Sequence, residues 1–149
     1  MFPSHIYEAR RRALMSRFDD GLLLFPGNDE SPMNYADNCF PFRQDSSFLY
    51  YFGLDQPGLA AMVDLDNDTT IVFGDELTID DIVWMGDLPS IAERAERVGV
   101  ADVRPRADLA GLVGVAAAAG KPVRFLAPYR ADTTQLLSAM LGVAPGEVA

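Results

Sequence analysis

The sequence predicts an α/β fold, a mixed β-sheet flanked by helices. Three observations point there. The chain has 149 residues, 49% of them hydrophobic and 23% charged, the balance of one globular domain with a sizeable core. Short apolar runs bounded by Gly, Pro and Asp alternate with segments of helical periodicity. Their order is helix, strand, strands in hairpins, then helices around one more strand, which suits a sheet sandwiched by helices.

The first helix is expected to start at Ser4, a good N-cap, with Glu8 in its first turn and Ile6, Ala9, Ala13 and Phe18 at helical spacing. Arg10, Arg11 and Arg12 are consecutive, so they fan around the helix and read as a solvated face rather than one anion site. Asp19-Asp20-Gly21 ends the helix, with Gly as the left-handed cap. Residues 22–25 form a continuous apolar run, the pattern of a strand buried on both faces, and Pro26-Gly27-Asn28-Asp29 stops it. No Gly-Lys-Ser/Thr follows Gly27, so the turn lacks the signature of a phosphate loop. Residues 27–46 then form a loop of a length that is usually functional or mobile.

That loop runs into residues 40–53, where six aromatic residues surround the polar group Arg43-Gln44-Asp45-Ser46-Ser47. Pro41 excludes a central strand in the first half, and residues 48–52 read as a buried strand. Taken alone, the polar group reads as a loop that satisfies its own backbone, with Arg43 pairing to Asp45 or a carbonyl.

Residues 59–65 and 69–73 are expected to be antiparallel strands joined at Asp66-Asn67-Asp68. Asp64, Asp66 and Asp68 imitate the start of a calcium loop. The imitation fails because Thr69 stands where Gly is needed and Asp75 where a bidentate Glu is needed. Thr78 caps a short helix over 79–83, and Trp84, the only tryptophan, follows it. A helix over 89–98 starts at Pro89 and stops at Gly99, and 100–103 is a short strand or link. Further helices are expected at 108–119, ended by Gly120, and at 131–141, with an apolar strand at 122–126 between them. Residues 1–142 make one domain. Residues 143–149, with Pro145 and Gly146, read as the start of a linker, with a domain boundary at Ala149.

The net charge of −10 argues against nucleic acid as a partner, since folded nucleic-acid binders present a basic face. No apolar run approaches the ~20 residues of a membrane span. Met1-Phe2-Pro3-Ser4-His5 has no basic-then-apolar leader. A single cysteine, Cys39, excludes an internal disulfide and reads as a small apolar residue, so a cytoplasmic location is expected. The single histidine, His5, opens the first helix. A His/Cys metal site needs several such ligands and a Ser-His-Asp triad needs a placed His. The residues therefore predict no catalytic site and no metal site in this chain.

The run Phe40-Pro41-Phe42-Arg43-Gln44-Asp45-Ser46-Ser47-Phe48-Leu49-Tyr50-Tyr51-Phe52-Gly53, followed by Leu54-Asp55-Gln56-Pro57, resembles the signature of the N-terminal domain of aminopeptidase P. That domain is non-catalytic and is shared with creatinase and prolidase. Arg10-Arg11-Arg12-Ala13-Leu14, the apolar strand before Pro26, Asp37, the 59–73 hairpin and Trp84-Met85-Gly86 fit the same pattern, and from Pro89 onward the match is one of element order. The resemblance implies a ribonuclease H-like architecture without nuclease chemistry. It implies a parent that removes the N-terminal residue preceding proline. A divalent metal pair, typically manganese, would be held by two Asp, one His and two Glu of a C-terminal catalytic domain that this chain does not contain. The chain alone is then expected to be inactive. Its partners would be its own C-terminal catalytic domain, further copies in a homo-oligomer, and the parent's peptide substrates. Asp37, Arg43 and Trp84 are the residues expected at the substrate cleft or subunit interface. Asp37 would accept a substrate amine or a neighbouring Arg, with a turn aspartate as the plainer reading, and Trp84 would wall a neighbouring subunit's cleft. Two alternatives stand beside this: a stand-alone interaction module of the same fold without peptidase activity, and the N-terminal domain of a prolidase.

Overall fold

A computed structural model describes residues 1–86 and 88–148, with Met85 described by its backbone alone. Strand β1 (Leu22–Pro26) pairs antiparallel with β2 (Ala60–Asp64), and β2 pairs antiparallel with β3 (Thr69–Phe73). Strand β4 (Asp102–Arg104) lies parallel to β3, and β5 (Val123–Arg124) lies parallel to β1 at the opposite edge. The five-stranded sheet thus has the order β4-β3-β2-β1-β5. The mixed sheet flanked by helices is the fold class read from the sequence.

The side-chain period of two splits the strands between two cores. Leu23, Phe25, Ala61, Val63 and Val72 face one side, covered by α1 (Ser4–Met15), α2 (Ser46–Phe52) and α4 (Ile91–Glu96) through Tyr7, Phe48, Phe52, Ile91 and Ala95. Leu22, Leu24, Ala60, Met62, Ile71 and Phe73 face the other side, covered by α5 (Asp108–Ala118) and α6 (Ala131–Leu141) through Leu109, Val113, Leu137 and Met140. The expectation that 22–25 is buried on both faces holds for all four residues.

Several expectations change in the structure. Residues 48–52 are helical rather than a strand. Asp45 caps α2 by accepting from the amides of Ser47 and Phe48, both at 2.9 Å, and Gly53 closes it at φ +65°. Phe48 and Phe52, one helical turn apart, put both rings into the core. Aromatic content suggested a sheet, and the Asp and Gly bracket decided for helix. In α1 the cap position is Pro3, Ser4 is already helical, and the helix ends at Met15 rather than at Gly21. No acidic residue stands in its first turn, which overturns the role expected for Glu8. Ser90, not Pro89, starts α4, through a capping box with Glu93. Strand β5 is two residues long and half-buried at the edge of the sheet, and Leu126 beyond it is exposed. Residues 145–147 form a 3-10 turn that brings Val148 into the second core, while Ala149 lies outside the described residues.

The arginine triplet is not a uniformly solvated face. Arg11 is only 4% exposed and donates to the carbonyls of Tyr51 (2.9 Å), Val98 (2.8 Å) and Gly99 (3.1 Å), with its guanidinium over the Phe52 ring. One planar fork thereby satisfies the end of α2 and the turn after α4. Burial pulls its pKa down, and the nearby Glu8 carboxylate opposes that pull. Arg10 lies over the Tyr50 ring and donates to the Tyr50 carbonyl, and Arg12 is the solvated member. Arg11→Ala strands three carbonyls and is expected to cost about 3 kcal/mol, at roughly 1 kcal/mol per lost bond, read by urea unfolding. Arg12→Ala in the same assay should lie within about 0.5 kcal/mol of the parent.

The aspartates of the 64–68 hairpin are met by an ammonium. Lys121 Nζ lies 2.9 Å from Asp64 and 2.7 Å from Asp66. Burial pushes the Asp64 carboxyl up, but hydrogen bonds from Asn67 and Lys121 outweigh it and hold the net value below the ordinary one. A depressed folded pKa contributes stability above the unfolded value of about 3.9, lost as pH falls through the folded value. Asp64→Asn is expected to lower stability at pH 7 and to flatten its decline below about pH 4, measured by denaturation midpoints across the acid range.

Candidate functional site

β1 and β3 both run antiparallel to β2, and β4 and β5 run parallel to β3 and β1, so these four strands have their carboxyl termini at the same end of the sheet. The segments that follow them therefore gather there: residues 27–45 after β1, residues 74–78 and α3 (Ile79–Met85) after β3, 105–107 after β4, and 125–130 after β5. In α/β folds the carboxyl ends of the strands are where ligand crevices form. The topology places Asp37, Arg43 and Trp84 at this one end, Asp37 and Arg43 on the first segment and Trp84 on α3.

Each of the three is exposed. Asp37 sits in the turn at the tip of a small hairpin closed by the Pro32–Cys39 bridge, the plain turn position that its sequence also allowed. Arg43 donates to no partner among the described residues; its carbonyl accepts from Asn28 Nδ2 at 3.0 Å. It does not pair with Asp45, which is occupied as the cap of α2. Trp84 is 87% exposed. Helix α3 forms because Thr78 and Asp81 make a capping box, and its Ile79, Ile82, Val83 and Trp84 all face solvent. Leu77, Leu88, Met33, Tyr35 and Phe40 are exposed apolar residues of the same end. These exposed apolar side chains leave this end of the sheet with more uncovered hydrophobic surface than the helix-covered faces.

Cys39 is half-buried rather than buried. Burial and the Glu30 carboxylate push its thiol pKa up, away from nucleophilic use. Among the described residues no three His, Cys, Asp or Glu side chains come together as a metal-binding group. Among them, too, no helix is long and apolar enough to cross a membrane.

Sequence reasoning missed the residues that build the neck of the 27–45 segment. Gln44, only 1% exposed, accepts at Oε1 from the amides of Asn28 (2.7 Å) and Asp45 (2.9 Å) and donates from Nε2 to the Gln56 carbonyl (2.8 Å). Asn28, also buried, donates in turn to the Tyr129 hydroxyl at 3.2 Å. Beside this neck a cavity of about 390 Å³ opens between α1, α2 and the chain after β5, lined by Phe18, Phe25, Tyr51, Phe125, Asn28 and Tyr129 among others. Polar residues in a polar stretch give no sequence signal of burial, and only the crossing of residues 28 and 44 reveals it. Gln44→Leu keeps the volume but strands two amides and a carbonyl. The expected cost is about 3 kcal/mol in chemical unfolding, at roughly 1 kcal/mol for each group left unpaired.

The model of the aminopeptidase P N-terminal domain matches residues 7–123. The chain belongs to that family. A probable Xaa-Pro aminopeptidase of Aspergillus clavatus is 31% identical over 103 residues, covering 69% of this chain and 21% of that protein. The human Xaa-Pro dipeptidase is 29% identical over 83 residues, covering 56% of the chain and 17% of that protein. Among solved structures, aminopeptidase P of Escherichia coli superposes with a TM-score of 0.77 at 19% identity, covering 95% of this chain and 33% of that one. Aminopeptidase PepP of Pseudomonas aeruginosa gives 0.78 at 20% identity, over 95% and 32%. At these identities the structural likeness speaks for the fold. The chain spans about a fifth of the length of the curated relatives and a third of the solved chains.

Proposed function

We propose that this chain is the non-catalytic N-terminal domain of a Xaa-Pro aminopeptidase, shaping the substrate cleft and the subunit interface of a parent that removes the residue preceding proline. The observation that carries the reading is the family match over residues 7–123, joined to an apolar, solvent-facing end built from α3 and the 27–45 segment. The parent's chemistry would come from a C-terminal domain holding a divalent metal pair, manganese in this reading, which would supply an activated water for attack on the peptide carbonyl. In this chain Asp37, Arg43 and Trp84 would face the cleft or a neighbouring copy. An exposed indole gains most by docking into a partner, where aromatic anchors dominate interface energies. Residues 1–142 would be the domain and 143–149 the start of the connection, held by Val148. A cytoplasmic homo-oligomer that acts on peptides completes the proposal. The human Xaa-Pro dipeptidase among the relatives keeps the prolidase reading as the second one.

Two measurements test this. The 149-residue chain with manganese is expected to release no amino acid from Xaa-Pro peptides, and metal-dependent turnover would reject the domain assignment. In the full-length parent, Trp84→Ala is expected to raise KM for a Xaa-Pro-Yaa tripeptide about tenfold, a loss of roughly 1.4 kcal/mol of binding. Its melting temperature should hardly move, because Trp84 is outside both cores. An unchanged KM would remove Trp84 from the cleft.

A further inference from the structure

We propose that Arg106 and Arg130 are positioning residues that strap the excursion 29–42 across the carboxyl end of the sheet, fixing where Asp37 stands. The strap follows from geometry alone; its consequence for a cleft rests on the function proposed above.

The excursion is a compact loop with its ends pinned together. Gln44 joins the amide of Asn28 at 2.7 Å, and Asn28 Nδ2 returns to the Arg43 carbonyl at 3.0 Å. Inside the loop, Met33 N donates to Asn38 O at 2.8 Å and Phe40 N to Ser31 O at 2.9 Å, so the tip is a small hairpin. Neither feature fixes the direction in which the hairpin projects. Among the described residues, the hydrogen bonds that join residues 29–42 to the rest of the fold come from two arginines.

Arg106 Nη1 and Nη2 reach Asp29 Oδ1 and Oδ2 at 3.1 and 3.3 Å, a two-pronged pair. Arg130 Nη2 donates to Ser31 Oγ at 2.7 Å and to the Asp29 carbonyl at 3.4 Å. The two arginines come from opposite edges of the sheet, Arg106 after β4 and Arg130 after β5. Each is held in place by a carboxylate. Asp75 Oδ1 accepts from the Arg106 amide at 3.1 Å, and Asp132 accepts from Arg130 Nε at 3.0 Å and Nη2 at 2.7 Å. A planar guanidinium gripping from two sides sets direction as well as distance, which a single long side chain could not do.

The test uses the 149-residue chain and its Arg106→Gln, Arg130→Gln, doubly substituted and Asp29→Asn variants, read by amide hydrogen exchange and by melting temperature. Each single arginine change is expected to speed exchange in peptides covering 29–42 about threefold, and the double change about tenfold, the scale of one well-placed charged pair. Peptides of β1 and β2 should exchange as before, with the melting temperature within about 3 °C of the parent. In the Asp29→Asn background Arg106→Gln should add little further, since the pair is already gone. Raising the salt concentration of the unmodified chain should speed the same peptides, because the pair is partly solvated. Unchanged exchange over 29–42 in the double variant, or equal acceleration of every peptide, overturns the strap. If the exchange behaves as expected while Trp84→Ala leaves KM of the parent unchanged, the strap stands and the cleft reading falls.

Discussion

The structure depends on burying β1 on both faces while pairing it on both edges. Leu22 and Leu24 belong to one core and Leu23 and Phe25 to the other. A strand so placed has no polar face, so helices must cover it on either side and strands must take up its backbone groups. The antiparallel neighbour β2 and the parallel neighbour β5 do the pairing. Helix α5 carries the chain from β4 at one edge to β5 at the other, covering the second face on the way. Beyond β2 the sheet continues through β3 and β4, which run in the same direction as β1 and β5, so four carboxyl termini gather at one end of the sheet.

At that end the chain solves a harder problem than burial. After β1 it leaves the sheet for a long excursion before entering α2, and its backbone groups at the neck have no ladder to join. Gln44 stands in for a strand there, accepting two amides and giving one donor to the Gln56 carbonyl. Gln56 in turn accepts from Arg94 at 2.5 Å, which ties the neck to α4. Arg11 does the same work on the first face, where the end of α2 meets the turn after α4. Long polar side chains thus serve as movable backbone wherever elements meet without pairing. In this member of the aminopeptidase P N-terminal domain family, a hydrogen-bonded neck thus lies beneath an apolar, exposed end.

The element types were largely legible from sequence, for physical reasons. The strand at 22–25 and the hairpin at 59–73 carry continuous or alternating apolar patterns, and the capping box at Thr78 is a local signal. The error at 48–52 is instructive. Six aromatics within 40–53 argued for a sheet, yet aromatic side chains report burial and not backbone conformation. The decisive residues were the capping Asp45 and the left-handed Gly53, whose ring neighbour Tyr7 leaves no room for a Cβ. Of the candidate site, Asp37, Arg43 and Trp84 were named by resemblance, and the strand directions put them at one end of the sheet. Gln44, Asn28, Asp29, Arg106 and Arg130 were not readable, since their partners lie far away in sequence.

The sequence by itself determined the fold class, the positions of most elements and the family. The fold class and the elements follow from patterns that repeat within a few residues, the range over which helix and strand periodicity acts, and the family from the resemblance carried by the run 40–57. Tertiary structure alone decided that Arg11 is buried between two elements while Arg12 is solvated, and that Gln44 is a core residue. It also decided that the arginines after β4 and β5 converge on one loop. Those outcomes depend on which strands are neighbours and which ends they share, and no local pattern in the chain encodes that.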